Sequence, residues 1–151
     1  PAAIGAQIAH PDALVIDIAG EASIQMNIQE LQTMSHHKLP IKLFILNNFG
    51  YGIIKQFQDV WFEGRYEATG KGYSQPDFKK IADAYNISYR KISNPEDIIK
   101  EDLDSKEGII FDVILHPNTL IEPKIDSGNP LHNMFPYLDL DSDSLEKKYI
   151  Q

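Results

Sequence analysis

Four short runs constrain this chain more than anything else in it. "ALVIDI" (Ala13 to Ile18), "IKLFILNN" (Ile41 to Asn48), "ISYRKI" (Ile87 to Ile92) and "GIIFDVILH" (Gly108 to His116) are apolar and rich in β-branched residues. Each is strand length and bounded by turn-forming residues, so each reads as a buried strand. Between them the apolar spacing changes to that of helices. Ile28, Leu31 and Met34 form one stripe in "NIQELQTMSHHKL", with Asn27 and Glu30 spaced as a capping box. Ile53, Ile54, Phe57, Val60 and Trp61 form the apolar face of a second helix. Phe78, Ile81, Ala82 and Tyr85 define a third, opened by Pro76, and "NPEDIIKEDL" reads as a fourth helix beginning near Asn94 and Pro95. Ala2, Ala3, Ile4, Ala6, Ile8 and Ala9 suggest a short buried helix ahead of the first strand.

Strands alternating with helices imply an α/β fold, doubly wound, with a mainly parallel sheet and helices on both faces. Such sheets bind ligands outside the carboxyl ends of their strands. The expected organisation is an α/β domain over residues 1–116, truncated at its N-terminal side, with residues 117–151 as a tail extending it. That tail holds four prolines and little periodicity before "DSLEKKYIQ".

Charge and composition narrow the partners. A net charge of −8 argues against nucleic acid, because binding a phosphate backbone requires clustered Lys and Arg. With no cysteine there is no disulfide, thiolate zinc site or Cys nucleophile. No apolar run approaches the ~20 residues of a membrane span, and no signal peptide is visible, so no membrane association and a cytoplasmic location are expected.

Two stretches stand directly after expected strands, where chemistry belongs. In "GEAS", Gly20 permits close backbone approach or a positive φ, Ala22 and Ser23 are small, and Ser23 can cap the next turn. Glu21 beside such an anion site is repelled by the anion unless a divalent cation sits between them. In "NNFGYG", Asn48 offers an amide oxygen and Gly50 a backbone carbonyl on a tight turn. Carboxylate, amide and carbonyl make a hard-oxygen set suited to Mg²⁺ or Ca²⁺ and unsuited to Zn²⁺. Taken singly, "GEAS" is equally an ordinary helix cap and "NNFGYG" an ordinary strand-to-helix turn.

Together, at this spacing, they resemble the bipartite thiamine-diphosphate motif: a Gly-Asp-Gly-like signature, some two dozen residues, then Asn-Asn. "SIQMNIQELQTMSHHKLPIKLFILNN", "GYGIIKQFQ" and the opening "PAAIGA" resemble the acetolactate synthase and 2-oxo acid decarboxylase branch, over Pro1 to about His116. The resemblance implies the thiamine-diphosphate-binding fold, with thiamine diphosphate and Mg²⁺ as cofactors. It places Glu21, Asn48 and Gly50 at the metal, and Gly20, Ala22, Ser23 and Met26 against the cofactor. Tyr51, Gly52 and Ile53 fall on the turn and first helical residues beside it, and Phe57 falls on the substrate pocket. Glu21 departs from the family's Asp, and its extra methylene pushes the carboxylate out by roughly one bond while Mg²⁺ asks for oxygens near ~2.1 Å.

The resemblance further implies a cofactor-diphosphate-binding domain of an enzyme acting on a 2-oxo acid, by carboligation or decarboxylation. Such a domain is inactive alone. It implies a partner, the pyrimidine-binding domain carrying the catalytic glutamate, in the same longer chain or another, and a homo-oligomer. Two alternatives stay open: a cofactor-less homologue used for interaction or regulation, and an unrelated doubly wound domain binding another phosphate ligand.

Other residues have plainer readings. His36 and His37 are adjacent and read as a solvated helix end. His116, after the fourth strand and before Pro117, is a candidate for a substrate-facing role. Arg65 and Tyr66 lie in a polar loop that is either solvated or near a site entrance. Trp61, Phe62, Met134, Phe135 and Tyr137 read as core or interface. "PLHNMFPYL" resembles a segment that wraps the active site in relatives, and "DLDSDSLE" lacks the mid-loop Gly and final Glu of a calcium loop.

Overall fold

The computed structural model describes residues 1–121, 124–125 and 134–135. Two compact units divide the chain, residues 1–119 and 120–151. The first unit holds β1 (Ile16–Gly20), β2 (Lys42–Asn47), β3 (Ser88–Ile92) and β4 (Ile109–Ile114) in one sheet. Every pairing in it is parallel, in the order β1-β2-β4-β3. Helices α1 (Ala2–Ala9), α2 (Glu21–Gln25), α3 (Glu30–His36), α4 (Gly52–Trp61), α5 (Phe78–Ala84) and α6 (Lys100–Asp104) supply the connections. The second unit contains a short antiparallel pair, β5 (Lys124–Ile125) and β6 (Met134–Phe135). "PLHNMFPYL" apart from the β6 backbone, Tyr137, "DLDSDSLE" and the terminal periodicity lie outside the described residues.

Alternation along the strands builds two different faces. On one, Leu43, Ile45 and Ile110 pack with Leu31 and Met34 of α3 and Phe78 and Ala82 of α5. On the other, Ile92, Ile109 and Phe111 pack with Phe44, Ile98 and Leu103. The rings of Phe44 and Phe111 stack there at 4.4 Å. This second layer covers only part of the sheet: Ile16, Ile18 and Leu46 remain exposed.

Lys42 opens β2 with its side chain fully buried. Its ammonium donates to the carbonyls of Ser105 at 2.8 Å and Glu107 at 2.6 Å. Burial lowers its pKa, against the raising effect of the Asp102 and Glu107 carboxylates.

Several local expectations give way to the fold. In α1 only Gln7 is buried, because this helix touches the core through Ala3 and Ile4 alone. The Gln7 amide donates to the carbonyls of His10, Pro11 and Ala13 and ties off the turn that follows. The Asn27–Glu30 capping box is absent, and α3 starts at Glu30 without a side-chain cap. Continuous turn bonds (Asn27 N–H to Ile24, Glu30 N–H to Asn27) already satisfy donors that a cap would serve. Pro76 is not the first residue of α5: Asp77 caps that helix by accepting the Lys80 N–H at 3.2 Å.

"NPEDIIKEDL" is not one helix. A single 3-10 turn spans Pro95–Asp97, and then Ile98 and Ile99 are extended before α6. Asp97 caps the start of that turn by accepting the N–H groups of Ser93 and Asn94. The extended link lets Ile98 reach the sheet beside Ile92 and Phe111, and β-branching favours it.

The largest departure is α4. None of its residues is buried, and Ile53, Ile54, Phe57, Val60 and Trp61 are all exposed, as is Phe62. The amphipathic pattern is real, but no apolar layer among the described residues lies opposite it.

Candidate active site

The carboxyl ends of β1 and β2 bring the two singled-out stretches together. Gly20 ends β1 and is the N-cap of α2, so Glu21 stands at the first position of the helix. Glu21 is only 1% exposed. Beyond β2, Asn48 leads into Phe49, whose φ of 59° is a left-handed conformation rare for a large side chain. Held strain of this kind concentrates at functional turns. It reverses the chain so that the Gly50 N–H donates to Glu21 Oε1 at 2.7 Å, across 29 residues of sequence.

Glycine leaves room for a neighbour at two positions in this turn, for fixed backbone at one and for a side chain at the other. A Cβ on Gly50 collides with the backbone carbonyl of Thr69, and one on Gly52 collides with the Asn48 amide. Gly20 is different: its φ of −71° is open to any residue, and a Cβ there meets only Ser23 Oγ at 3.6 Å. The positive φ considered for it is not adopted. Nor does Ser23 act as a cap, because it lies inside α2, and it lines a separate cavity of about 230 Å³ beside α1 and α3.

The corner formed by Glu21, Asn48 and Gly50 has an unusual donor balance. With its amide nitrogen turned inward, Asn48 donates to the Gly50 carbonyl at 2.7 Å and to Glu21 Oε1 at 3.2 Å. With its oxygen inward, that oxygen faces the Gly50 carbonyl and Glu21 Oε1 at those separations, an arrangement that a cation relieves. Adjacent ligands around an octahedral ion with ~2.1 Å bonds stand about 3 Å apart, so the corner fits a hard divalent cation. Among the described residues no cluster of three or more His, Asp or Glu offers a rival site.

Neighbouring residues brace the corner. Asn47, buried, donates to Asp112 Oδ1 at 2.9 Å and accepts from Gln75 at 3.0 Å. Tyr89 donates to Asp112 Oδ2 at 2.8 Å. Burial, then this bond to the Asp112 carboxylate, raises the Tyr89 pKa strongly. The first Asn is thus a brace, and the second faces the candidate cation position.

The loop after α4 closes over the same place: Tyr51 N–H donates to the Thr69 carbonyl at 3.3 Å, and the Thr69 hydroxyl donates to Gln58 Oε1 at 2.8 Å. Tyr73 points its hydroxyl at Glu21 Oε1, 3.4 Å away, and burial together with that carboxylate pushes its pKa up to about 12. Alongside lies an open trough of about 430 Å³ lined by Ala22, Met26, Tyr51, Gly72 and Tyr73, among others. Neither α2 nor α4 has a side-chain cap, leaving first-turn N–H groups available to an anion.

Residues 1–111 match the family described as "Thiamine pyrophosphate enzyme, C-terminal TPP binding domain". The chain belongs to that family. Over 141 residues, 91% of this chain, the TPP-binding domain is 38% identical to the mitochondrial acetolactate synthase catalytic subunit of Aspergillus candidus, covering 20% of it. It is 37% identical to the acetolactate synthase large subunit of Cyanidium caldarium, covering 85% of this chain and 22% of that protein. Among solved structures, the thiamine diphosphate-dependent 4-hydroxybenzoylformate decarboxylase of Rhodococcus jostii RHA1 superposes with a TM-score of 0.70 at 28% identity, covering 77% of this chain and 22% of that one. The chain therefore spans about a fifth of the length of these relatives.

Within the TPP-binding domain, Glu21, Asn48 and Gly50 converge, with Gly52 and Tyr51 against them and Ala22 and Met26 on the trough. Ile53 and Phe57 are instead exposed on α4. His116 is exposed and accepts the Asn118 N–H, and Arg65 is exposed beside Glu63 at 3.7 Å. Tyr66 bonds Asp59, while His36 and His37 are exposed at the end of α3. Sequence reasoning missed Asp112, Thr69 and Tyr73. A charge inside the otherwise apolar "GIIFDVILH" signals Asp112. Nothing local signals the other two, because only the path of the loop after α4 brings them to the site.

Proposed function

We propose that this domain anchors the diphosphate of thiamine diphosphate through Mg²⁺, in an enzyme that decarboxylates or ligates a 2-oxo acid, as its acetolactate synthase and decarboxylase relatives suggest. The observation that carries this reading is the corner where the Asn48 amide lies 2.7 Å from the Gly50 carbonyl and 3.2 Å from Glu21 Oε1. Those three groups would hold the metal. Gly20, Ala22, the Ser23 backbone, Met26, Tyr51, Gly52 and Ile53 would border the cofactor, with Phe57 towards the substrate. When bound, the cofactor supplies a carbon nucleophile and an electron sink that no side chain offers. This chain's residues hold and orient it, and Glu21 balances the cation's charge.

The reading includes a pyrimidine-binding domain, from the same longer chain or a partner chain, that contributes the catalytic glutamate, and assembly into a homo-oligomer. The bare apolar face of α4 supports it: burying each large side chain there contributes about 1.5–3 kcal/mol, and exposed patches of this kind mark interaction surfaces.

A second reading has its own observation. With the Asn48 nitrogen inward, the corner is satisfied without any cation, as a cofactor-less homologue kept for assembly would require. Calorimetric titration of thiamine diphosphate into the full natural chain, with Mg²⁺ and then with EDTA, separates the two. Metal-dependent binding that is lost in Glu21→Gln supports the enzyme reading. Absence of binding to the folded full chain refutes it and leaves the assembly role.

A further inference from the structure

We propose that Tyr73 is a positioning residue for the Glu21 carboxylate, and that it is what makes a glutamate workable as the metal-facing acid here. This rests on the functional reading above. Glu21 carries one methylene more than the aspartate of the resembled motif, which moves its carboxylate by roughly 1.5 Å, one C–C bond. A Mg²⁺ site tolerates little such error, so the longer arm has to be held.

Two groups of this chain hold it at Oε1. The Gly50 N–H binds at 2.7 Å and sets the depth of the carboxylate. The Tyr73 hydroxyl, 3.4 Å from the same oxygen, approaches from residues 52 positions further along the chain. Its ring is fixed in turn, lying edge-on to Tyr51 at 5.3 Å. Tyr51 is the N-cap of α4, and its N–H is bonded to Thr69 in the same loop as Tyr73. The tyrosine is thus anchored to the turn that carries Asn48 and Gly50. When the Asn48 oxygen turns inward to a cation, Gly50 N–H and Tyr73 remain as the carboxylate's donors. At 3.4 Å the hydroxyl is already at the limit of its reach, so an aspartate at position 21 withdraws beyond it.

A double-mutant cycle on the full natural chain tests this, reading the affinity for thiamine diphosphate in saturating Mg²⁺ by calorimetry and the melting temperature without metal. Tyr73→Phe weakens binding by roughly fivefold, the effect of losing one hydrogen bond, with its melting temperature unchanged. In the Glu21→Asp background the same substitution changes affinity less than about twofold, because the shorter acid never used the tyrosine. Equal weakening in both backgrounds overturns the proposal by making Tyr73 a general loop brace. Unaltered binding by Tyr73→Phe overturns it too, while leaving the functional reading standing. A wild-type chain that binds nothing defeats the functional reading, and this inference with it.

Discussion

Gly52→Ala separates the stability of this domain from its capacity to hold a cation. The nearest atoms to the added methyl all belong to the Asn48 amide, the far end of a rotatable side chain. Folding absorbs that by swinging Asn48 away. The swing forfeits its bonds to the Gly50 carbonyl and Glu21 Oε1, together about 1–3 kcal/mol. Alanine at the first residue of α4 returns about 1 kcal/mol of helix propensity. The net change in urea unfolding is therefore small, about 0–2 kcal/mol. Binding fares much worse, because the displaced amide is one of the three groups proposed to hold the cation: Mg²⁺-dependent affinity for thiamine diphosphate falls at least about tenfold, or ~1.4 kcal/mol.

Gly50→Ala is the contrasting control. Its methyl strikes the fixed carbonyl of Thr69, so the loop after α4 must move and the Tyr51–Thr69 bond is lost. Overpacking and the broken bond cost about 2–4 kcal/mol. Calorimetry and urea melts on the two variants decide the matter. A Gly52→Ala chain that keeps wild-type affinity, with its fold intact, refutes the assignment of Asn48 to the cation.

The buried polar groups give two more expected outcomes. Asp112→Ala strands both the Asn47 amide and the Tyr89 hydroxyl, destabilising the fold by about 2–5 kcal/mol in urea titration, whereas an unchanged midpoint denies that the brace exists. Alkaline stability behaves oppositely to a carboxylate's: Tyr73 and Tyr89 hold their protons above the ordinary value of 10. Their contribution is present below pH ~10 and is lost as pH climbs towards the raised values. Urea midpoints measured from pH ~9 upward fall in the wild type, and more gently in Tyr89→Phe.

Much of the scaffold was legible in sequence because it is locally encoded. β-Branched runs and their turn residues mark all four strands, though the first lies later than its apolar run suggests, at Ile16–Gly20. The stripe of Leu31 and Met34 and that of Phe78 and Ala82 are buried where periodicity puts them. Local pattern misled where the fold had other needs: the Ile98–Ile99 link is extended to reach the sheet, and α4 has an apolar face with nothing among the described residues to cover it.

The candidate site divides along the same line. Residue types and spacing pointed to Glu21, Asn48 and Gly50, since a carboxylate, an amide and a glycine turn behind adjacent strands are readable one by one. Tertiary structure alone decided that Asn47 is a brace, because that depends on Asp112, 65 residues away. It also decided that Gly50 is sterically required against the Thr69 backbone, that Gly52 leaves room for the Asn48 amide, and that Gly20 answers to neither constraint, which depends on what stands opposite each Cβ. Tyr73 reaches Glu21 only through the path of a polar loop. Periodicity records which way neighbouring side chains point; contacts between distant segments form only after the chain has folded, and no local pattern carries them.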